Sequence, residues 1–175
     1  MAPDYAPRLR SDFTKDDSVT TPNQMRWMPL DLPARDDPPI NFVQGLHTMG
    51  GTGEPTAGEG LAIHLYVANA SMDDCALTNS DGDFLIVPQE GTLTVTTEFG
   101  VMTVAPKEIC VVMRGMRFSV AVEGPSRGYI LEIFGHHHFV LPDLGPIGAN
   151  GLANPRDFKS PQAWYAPGRL AKSHE

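Results

Sequence analysis

Positive charge is scarce in this chain. Thirteen lysines and arginines stand against 21 aspartates and glutamates, a formal net charge of −8. A nucleic-acid partner, whose phosphates call for a basic face, is therefore excluded. Long apolar runs are missing too. None approaches the roughly 18 residues that a membrane-crossing helix needs. The first residues, MAPDYAPRLRSDF, lack the apolar stretch of a secretory signal. Only two cysteines are present, Cys75 and Cys110, far apart in the chain. That excludes a disulfide framework and suits a reducing, cytoplasmic compartment. Neither has a basic neighbour in sequence, so both read as apolar filling or inert thiols and not as nucleophiles. Helical periodicity is also lacking, and no histidine lies between His64 and His136.

Glycine and proline, by contrast, are abundant, at 17 and 16 residues. They concentrate in the first sixty residues and after Pro142, which marks the middle of the chain as the folded core. Its 175 residues, 41% of them apolar, fit one domain. Residues 1–21 have no period and read as a disordered or extended arm. Pro22 to Pro39 holds Trp27 and Leu30 between prolines, as expected of an extended segment along a surface. Met49 to Gly60, MGGTGEPTAGEG, reads as a flexible loop.

From Gly60 the texture changes. LAIHLYVANASM, DFLIVPQEG, TLTVTTEFG, VMTVAP, EICVVMRG, MRFSVAVEG and RGYILEIFG are short segments rich in β-formers. Turn residues separate them at short, regular intervals. That spacing predicts an all-β sandwich or small barrel with long irregular arms. A hairpin is expected around Gly100, and two further strands flank Gly115. Leu85 to Val87 and Ile109 to Met113 are apolar at consecutive positions, so both faces of those strands expect cover.

The candidates for chemistry are few. His64 lies on an alternating strand and reads as a hydrogen-bonded core or rim histidine. Asp81 and Asp83 in NSDGDF read as a turn built on Asn79 to Gly82, because two acids without imidazole make a poor iron site. His136, His137 and His138 follow the last strand. If that strand continues, His136 and His138 share a face and His137 does not, and two histidines lack a third ligand. The glycines at 145, 148 and 151 permit positive φ. Asn150 and Asn154 supply local hydrogen bonds. The segment after Pro142 thus reads as an irregular packed connection with no good acid, base or nucleophile.

The run DFLIVPQEGTLTVTTEFGVMTVAPKEICVVMRGMRFSVAV, with its P-x-E-I turn at Pro106 to Ile109, resembles a cupin core. Metal-binding cupins carry two histidines and a carboxylate in the first motif and a further histidine after the last glycine. Here the residues after Gly115 are Met116, Arg117 and Phe118, and a guanidinium has no lone pair to give. No residue of this chain is therefore expected to hold a metal.

Longer motifs identify a narrower likeness. TPNQMRW, GLHTMGGTGEPT, NSDGDFLIVPQEG, EICVVMRGMRFSV and LPDLGPIGANGLANPRDF closely resemble the homogentisate 1,2-dioxygenase family over about residues 21–165. The resemblance implies a cytosolic, oligomeric iron(II) enzyme of tyrosine and phenylalanine catabolism, which uses O₂ to open homogentisate to maleylacetoacetate. It also implies that the iron ligands and catalytic histidine lie in a C-terminal domain beyond residue 175, so no catalytic residue carries over. The expected division is an arm over 1–21, a cupin-like part over 22–165 and a non-family tail over 166–175. GHHHF is one residue longer than the family segment. These departures are those of a truncated or split gene product or a fragmentary gene model. The chain alone is expected to be inactive and to bind no iron. The alternative is a metal-free assembly or binding module, or a non-functional fragment.

Overall fold

A computed structural model describes residues 9–14, 22–24, 26, 28–34 and 36–164. Trp27 and the expected tail over 166–175 lie outside them. The described residues form nine strands: β1 Leu46–Glu54, β2 Glu59–Ala68, β3 Leu77–Thr78, β4 Gly82–Glu90, β5 Leu93–Thr97, β6 Gly100–Val104, β7 Cys110–Val112, β8 Arg117–Val122 and β9 Ser126–Phe134. No α-helix occurs among the described residues; three short 3₁₀ turns do.

The strands form two sheets, ordered β1-β2-β9-β4-β7 and β3-β8-β5-β6. With β1 set aside, the remaining eight strands have the order of a jelly roll, the double Greek-key sandwich that cupins share. The two sheets face each other and do not close into one barrel. The hairpin expected around Gly100 is present, with Thr97 opposite Gly100 and Leu93 opposite Val104. Around Gly115 the chain instead crosses between sheets, from β7 to β8.

Between the sheets, apolar side chains fill the space. Phe42, Tyr66, Phe84 and Phe118 are buried together with Ile86, Val95 and Ile130. Their rings meet at 5.0, 6.2 and 6.4 Å between centroids, two of the three contacts edge-on, the arrangement that aromatic quadrupoles favour. Where a ligand-binding jelly roll would keep a cavity, these aromatics occupy the interior.

The stretch from Met49 to Gly60 is not a loop. It forms most of β1, a 3₁₀ turn at Pro55–Ala57 and the start of β2. Its glycines allow close approach in place of supplying flexibility. A Cβ on Gly51 would lie 2.4 Å from the Phe13 ring, and one on Gly60 2.1 Å from the Thr52 carbonyl oxygen. Gly60 also has φ +119. Residues 9–14 lie along this strand. Arg10 N donates to Thr48 Oγ1 at 2.9 Å, and Phe13 N donates to the Gly53 carbonyl at 3.0 Å.

After Phe134 the regular structure ends. Gly135 has φ +76, which breaks the strand, so the alternation expected for His136 to His138 does not apply. The following arm is less packed than expected. Ile147 is 97% exposed and Val140 85%. Gly145 and Gly151 adopt positive φ, but Gly148 does not. It is needed for contact, because its Cβ would fall 1.7 Å from the Asp143 carbonyl oxygen. Asn154 accepts from Arg156 N at 3.1 Å, as its position suggested. Farther on, a single bridge pairs Gln162 with Val101. Lys159 reaches Glu108 at 3.1 Å. The Ala105 N–H first, and Lys159 next, hold the Glu108 carboxyl below the usual carboxylate range.

Candidate functional site

Alternation along β9 places Ile130, Glu132 and Phe134 inward and Tyr129, Leu131 and Ile133 outward. Glu132 is thus a carboxylate on the core face, and it is buried. Its Oε2 accepts from His64 Nε2 at 2.9 Å, and its Oε1 accepts from Asn79 Nδ2. Because a carboxylate here only accepts, the Nε2 hydrogen of His64 points at Glu132. The other ring nitrogen, Nδ1, lies 3.0 Å from Thr48 Oγ1. His64 is therefore the hydrogen-bonded core histidine that its strand position implied. The chain Thr48–His64–Glu132–Asn79 ties β1, β2, β9 and the turn before β4 together. The sequence signal for Glu132 was a lone acid at an inward position of YILEIF.

A second pair lies on the other side of the same sheet. Asp81 is exposed, and its N–H donates to Asn79 Oδ1 at 3.0 Å, which makes the expected turn. Asp83 does not belong to that turn. It lies in β4 and is 1% exposed. Its Oδ1 accepts from Arg114 N at 2.8 Å, and its Oδ2 accepts from His138 Nδ1 at 3.0 Å and Phe139 N at 3.2 Å. Arg114 also approaches His138, with Nη2 3.2 Å from Nε2. A guanidinium only donates, so His138 Nε2 accepts and Nδ1 carries the hydrogen given to Asp83. Arg114 Nη1 further donates to the Gly135 carbonyl at 2.7 Å. Of the three consecutive histidines, His138 is thus the one clasped by Asp83 and Arg114. Sequence reasoning missed Arg114 and Asp83 as a pair, since 31 residues separate them.

Neither pair fits an iron centre. Both ring nitrogens of His64 and of His138 already have partners, as do both oxygens of Glu132 and of Asp83. The pairs also sit on opposite faces of one sheet, so they cannot converge on one ion. Among the described residues no group of three or more His, Cys, Asp or Glu could hold a metal. The remaining reactive groups are quiet. Burial pushes the Cys110 thiol up to about 11 and the Tyr66 phenol up to about 12. Cys75 is raised as well, first by burial and then by Asp74 and Asp73. A protonated thiol is a poor nucleophile.

What the structure does present is an apolar surface. On the outer face of the five-stranded sheet, register aligns Val111, Leu85, Leu131 and Ile63 in one row across four strands. Val87, Tyr129 and Leu65 form the next row. Ile63 and Val111 are each 36% exposed. Consecutive apolar residues in β4 and β7 had implied this second apolar face.

Among the described residues no helix is long and apolar enough to cross a membrane. Solved structures of similar fold include the Cnp3 cupin domain of Schizosaccharomyces pombe, with a TM-score of 0.42 and 13% identity over 60% of this chain and 69% of that one. A putative mannose-6-phosphate isomerase of Ralstonia eutropha gives a TM-score of 0.47 and 15% identity over 65% of this chain and all of that one. In sequence, homogentisate 1,2-dioxygenase of Drosophila melanogaster is 63% identical over 150 residues, 86% of this chain and 34% of its own length. The human protein of that name is 59% identical over 144 residues, 82% of this chain and 32% of its own length. The chain therefore spans about a third of the curated relatives it matches. The family model described as homogentisate 1,2-dioxygenase N-terminal matches residues 4–174, a wider span than the motifs quoted above. The chain belongs to the homogentisate 1,2-dioxygenase N-terminal family.

Proposed function

We propose that this chain is a non-catalytic part of a homogentisate 1,2-dioxygenase, an architectural sandwich around which a cytoplasmic ring-opening enzyme is assembled. In this reading the complete enzyme uses iron and O₂ to convert homogentisate to maleylacetoacetate in tyrosine and phenylalanine catabolism. Iron supplies a centre with open positions for O₂ and the ring, and that centre lies outside this chain. One observation carries the reading: every imidazole and carboxylate of the two buried pairs is spent on another protein group. The division into an arm over 1–21, a cupin-like part over 22–165 and a tail over 166–175 belongs to the same proposal.

The test is metal analysis after anaerobic iron(II) loading of the purified chain, together with an assay for maleylacetoacetate. The expected outcome is well below one iron per chain and no product. About one tightly held iron, lost in His138→Ala, would place a metal site in this chain and overturn the reading. A second reading, a metal-free module that stabilises separate full-length subunits, is favoured by the apolar outer face of the five-stranded sheet.

A further inference from the structure

We infer that Asn150 is a site of spontaneous covalent modification. Its carboxamide is attacked by the Gly151 backbone nitrogen and then by water, and ends as aspartate or isoaspartate. The site lies in the 3₁₀ turn Gly148–Gly151 of the arm, away from both buried polar pairs.

The sequence supplies the first condition. A backbone nitrogen can close a five-membered ring on the carboxamide carbon of the asparagine before it. Glycine in the following position puts no side chain in the way. Of the six asparagines in the chain, Asn150 alone precedes glycine. Asn154 precedes Pro155, which has no N–H to give up.

The structure supplies the second condition, access. Asn150 and Gly151 are both exposed. The Asn150 carboxamide has no hydrogen-bond partner among the described residues. Other asparagines are engaged. Asn69 Oδ1 accepts from Ile40 N at 2.7 Å, and its Nδ2 donates to the Ala34 carbonyl at 2.9 Å. Asn79 Oδ1 accepts from Asp81 N, and its Nδ2 donates to Glu132. Ring closure requires the backbone to leave its resting conformation, and at Asn150 that conformation is strained. Ala149 and Asn150 have φ +46 and +57, the left-handed region that costs a residue with a side chain about 1–2 kcal/mol. Asp81 also precedes a glycine, and its carboxyl would close the same ring. Gly82, however, is buried and paired with Phe134 in the sheet, so its nitrogen is held away from that attack.

The reaction balances with water as the one co-reactant. Hydroxide takes the Gly151 N–H proton, the nitrogen bonds to Asn150 Cγ, and the carboxamide C–N bond breaks as ammonia leaves. Water then adds to one of the two carbonyls of the cyclic imide and breaks its bond to the ring nitrogen. Addition at Cγ gives aspartate. Addition at the backbone carbonyl gives isoaspartate, whose main chain runs through the former side chain. No atom is oxidised or reduced, and either product adds a negative charge to the net −8. Aspartate accepts the left-handed backbone as asparagine does. Isoaspartate lengthens the main chain between Ala149 and Leu152, whose N–H now donates to the Ala149 carbonyl at 3.1 Å, and breaks that bond.

The test incubates the full chain at body temperature, at neutral and at mildly alkaline pH. Digests are read by mass spectrometry, with isoaspartate counted by enzymatic methylation. A short peptide of sequence GANGLA serves as the unstructured standard. Asn150 should convert at least tenfold faster than Asn79 or Asn154, within tenfold of the free peptide, and faster as hydroxide rises. Asn150→Gln should abolish the isoaspartate, because the longer side chain closes a less favourable ring. Conversion more than tenfold slower than in the free peptide, or no faster than at Asn79, would overturn the inference. Isoaspartate that persists in Asn150→Gln would put the reaction at another residue and overturn it equally.

Discussion

The two sheets of this sandwich share one core and differ in their outer faces. On the four-stranded sheet, register aligns Ala121, Thr94 and Thr103 in one row and Ser119, Thr96 and Val101 in the next. Small and hydroxyl-bearing side chains meet the solvent there, as on any half-buried antiparallel sheet. On the five-stranded sheet the corresponding rows hold valine, leucine, isoleucine and tyrosine. Strand propensity cannot account for the contrast, because threonine and valine are both good strand formers. Burial can. The four-stranded face suits water and the five-stranded face does not, and the long arm after Phe134 begins by closing over one end of the latter, through His138 and Phe139 on Asp83.

The largest expected effect is on assembly. Alone, the chain should self-associate or aggregate, because a contiguous apolar sheet face is a surface for association. Exposed strand edges add a second route to association. Physiological salt should promote this by screening the net charge of −8. Light scattering at low and physiological salt measures it. Replacing Ile63 and Leu131 by lysine should shift the population toward a 19.0 kDa monomer. A wild-type chain that is monodisperse and binds no hydrophobic dye would erase the contrast between the two faces.

Next come the two polar ties that fix the five-stranded sheet. Glu132→Ala removes the partner of two buried groups, the His64 ring and the Asn79 amide. Leaving a buried donor without its acceptor costs about 1–3 kcal/mol for each, read as a fall in the denaturant midpoint. Asp83→Ala leaves Arg114 N, Phe139 N and His138 without an acceptor. It should cost about 2–3 kcal/mol and raise proteolytic cleavage in the arm at 139–164. Equal arm cleavage in Glu132→Ala and Asp83→Ala would show that the second tie has no special hold on the arm.

Much of this was legible in the sequence, for identifiable reasons. Short runs of β-formers bounded by turn residues mark β4, β5, β8 and β9, so the strands and the Gly100 hairpin could be read off. His64 could be placed because a polar residue inward on a strand needs a partner. The failures have a common cause. β1 looked like a loop because its glycines report a close neighbour, Phe13 or the β2 backbone, and that neighbour is remote in sequence. Asp83 looked like half of a turn because its three donors lie 31 to 56 residues away. The conformation of the histidine run turns on Gly135, where one positive φ ends the alternation that a continuing strand would have kept.

Two buried acids of the core sharpen the comparison at high pH. Tyr66 and Cys110 both titrate higher when folded, at about 12 and about 11, because burial disfavours their charged forms. Each therefore contributes stability that is fully present below its unfolded value. That contribution is lost as pH rises through the folded value, from 9 to 11 for Cys110 and from 10 to 12 for Tyr66. A displacement of that size is worth about 2–3 kcal/mol for each group. Urea midpoints should fall across that window, and Cys110→Ala should flatten the lower part of the fall. An unchanged slope between pH 9 and 11 in Cys110→Ala would mean that another group governs alkaline unfolding.

The smallest expected effect tests the polar face itself. Ala121 and Thr103 lie at the two ends of one row, on β8 and β6, with Thr94 between them on β5. Both end positions are exposed, so a lysine there keeps its ammonium in water and loses no buried contact. Substitutions of this kind usually stay within about 0.5 kcal/mol. The same change at Ile63 or Val111 is also expected to leave folding nearly intact, but to alter association. The two faces then differ in their partner and not in their share of stability. If Ala121→Lys or Thr103→Lys lowered the urea midpoint by the equivalent of more than about 1 kcal/mol, well beyond that range, or altered association as Ile63→Lys does, the four-stranded face would be a contact surface too. The distinction between a wetted and a covered face would then fail.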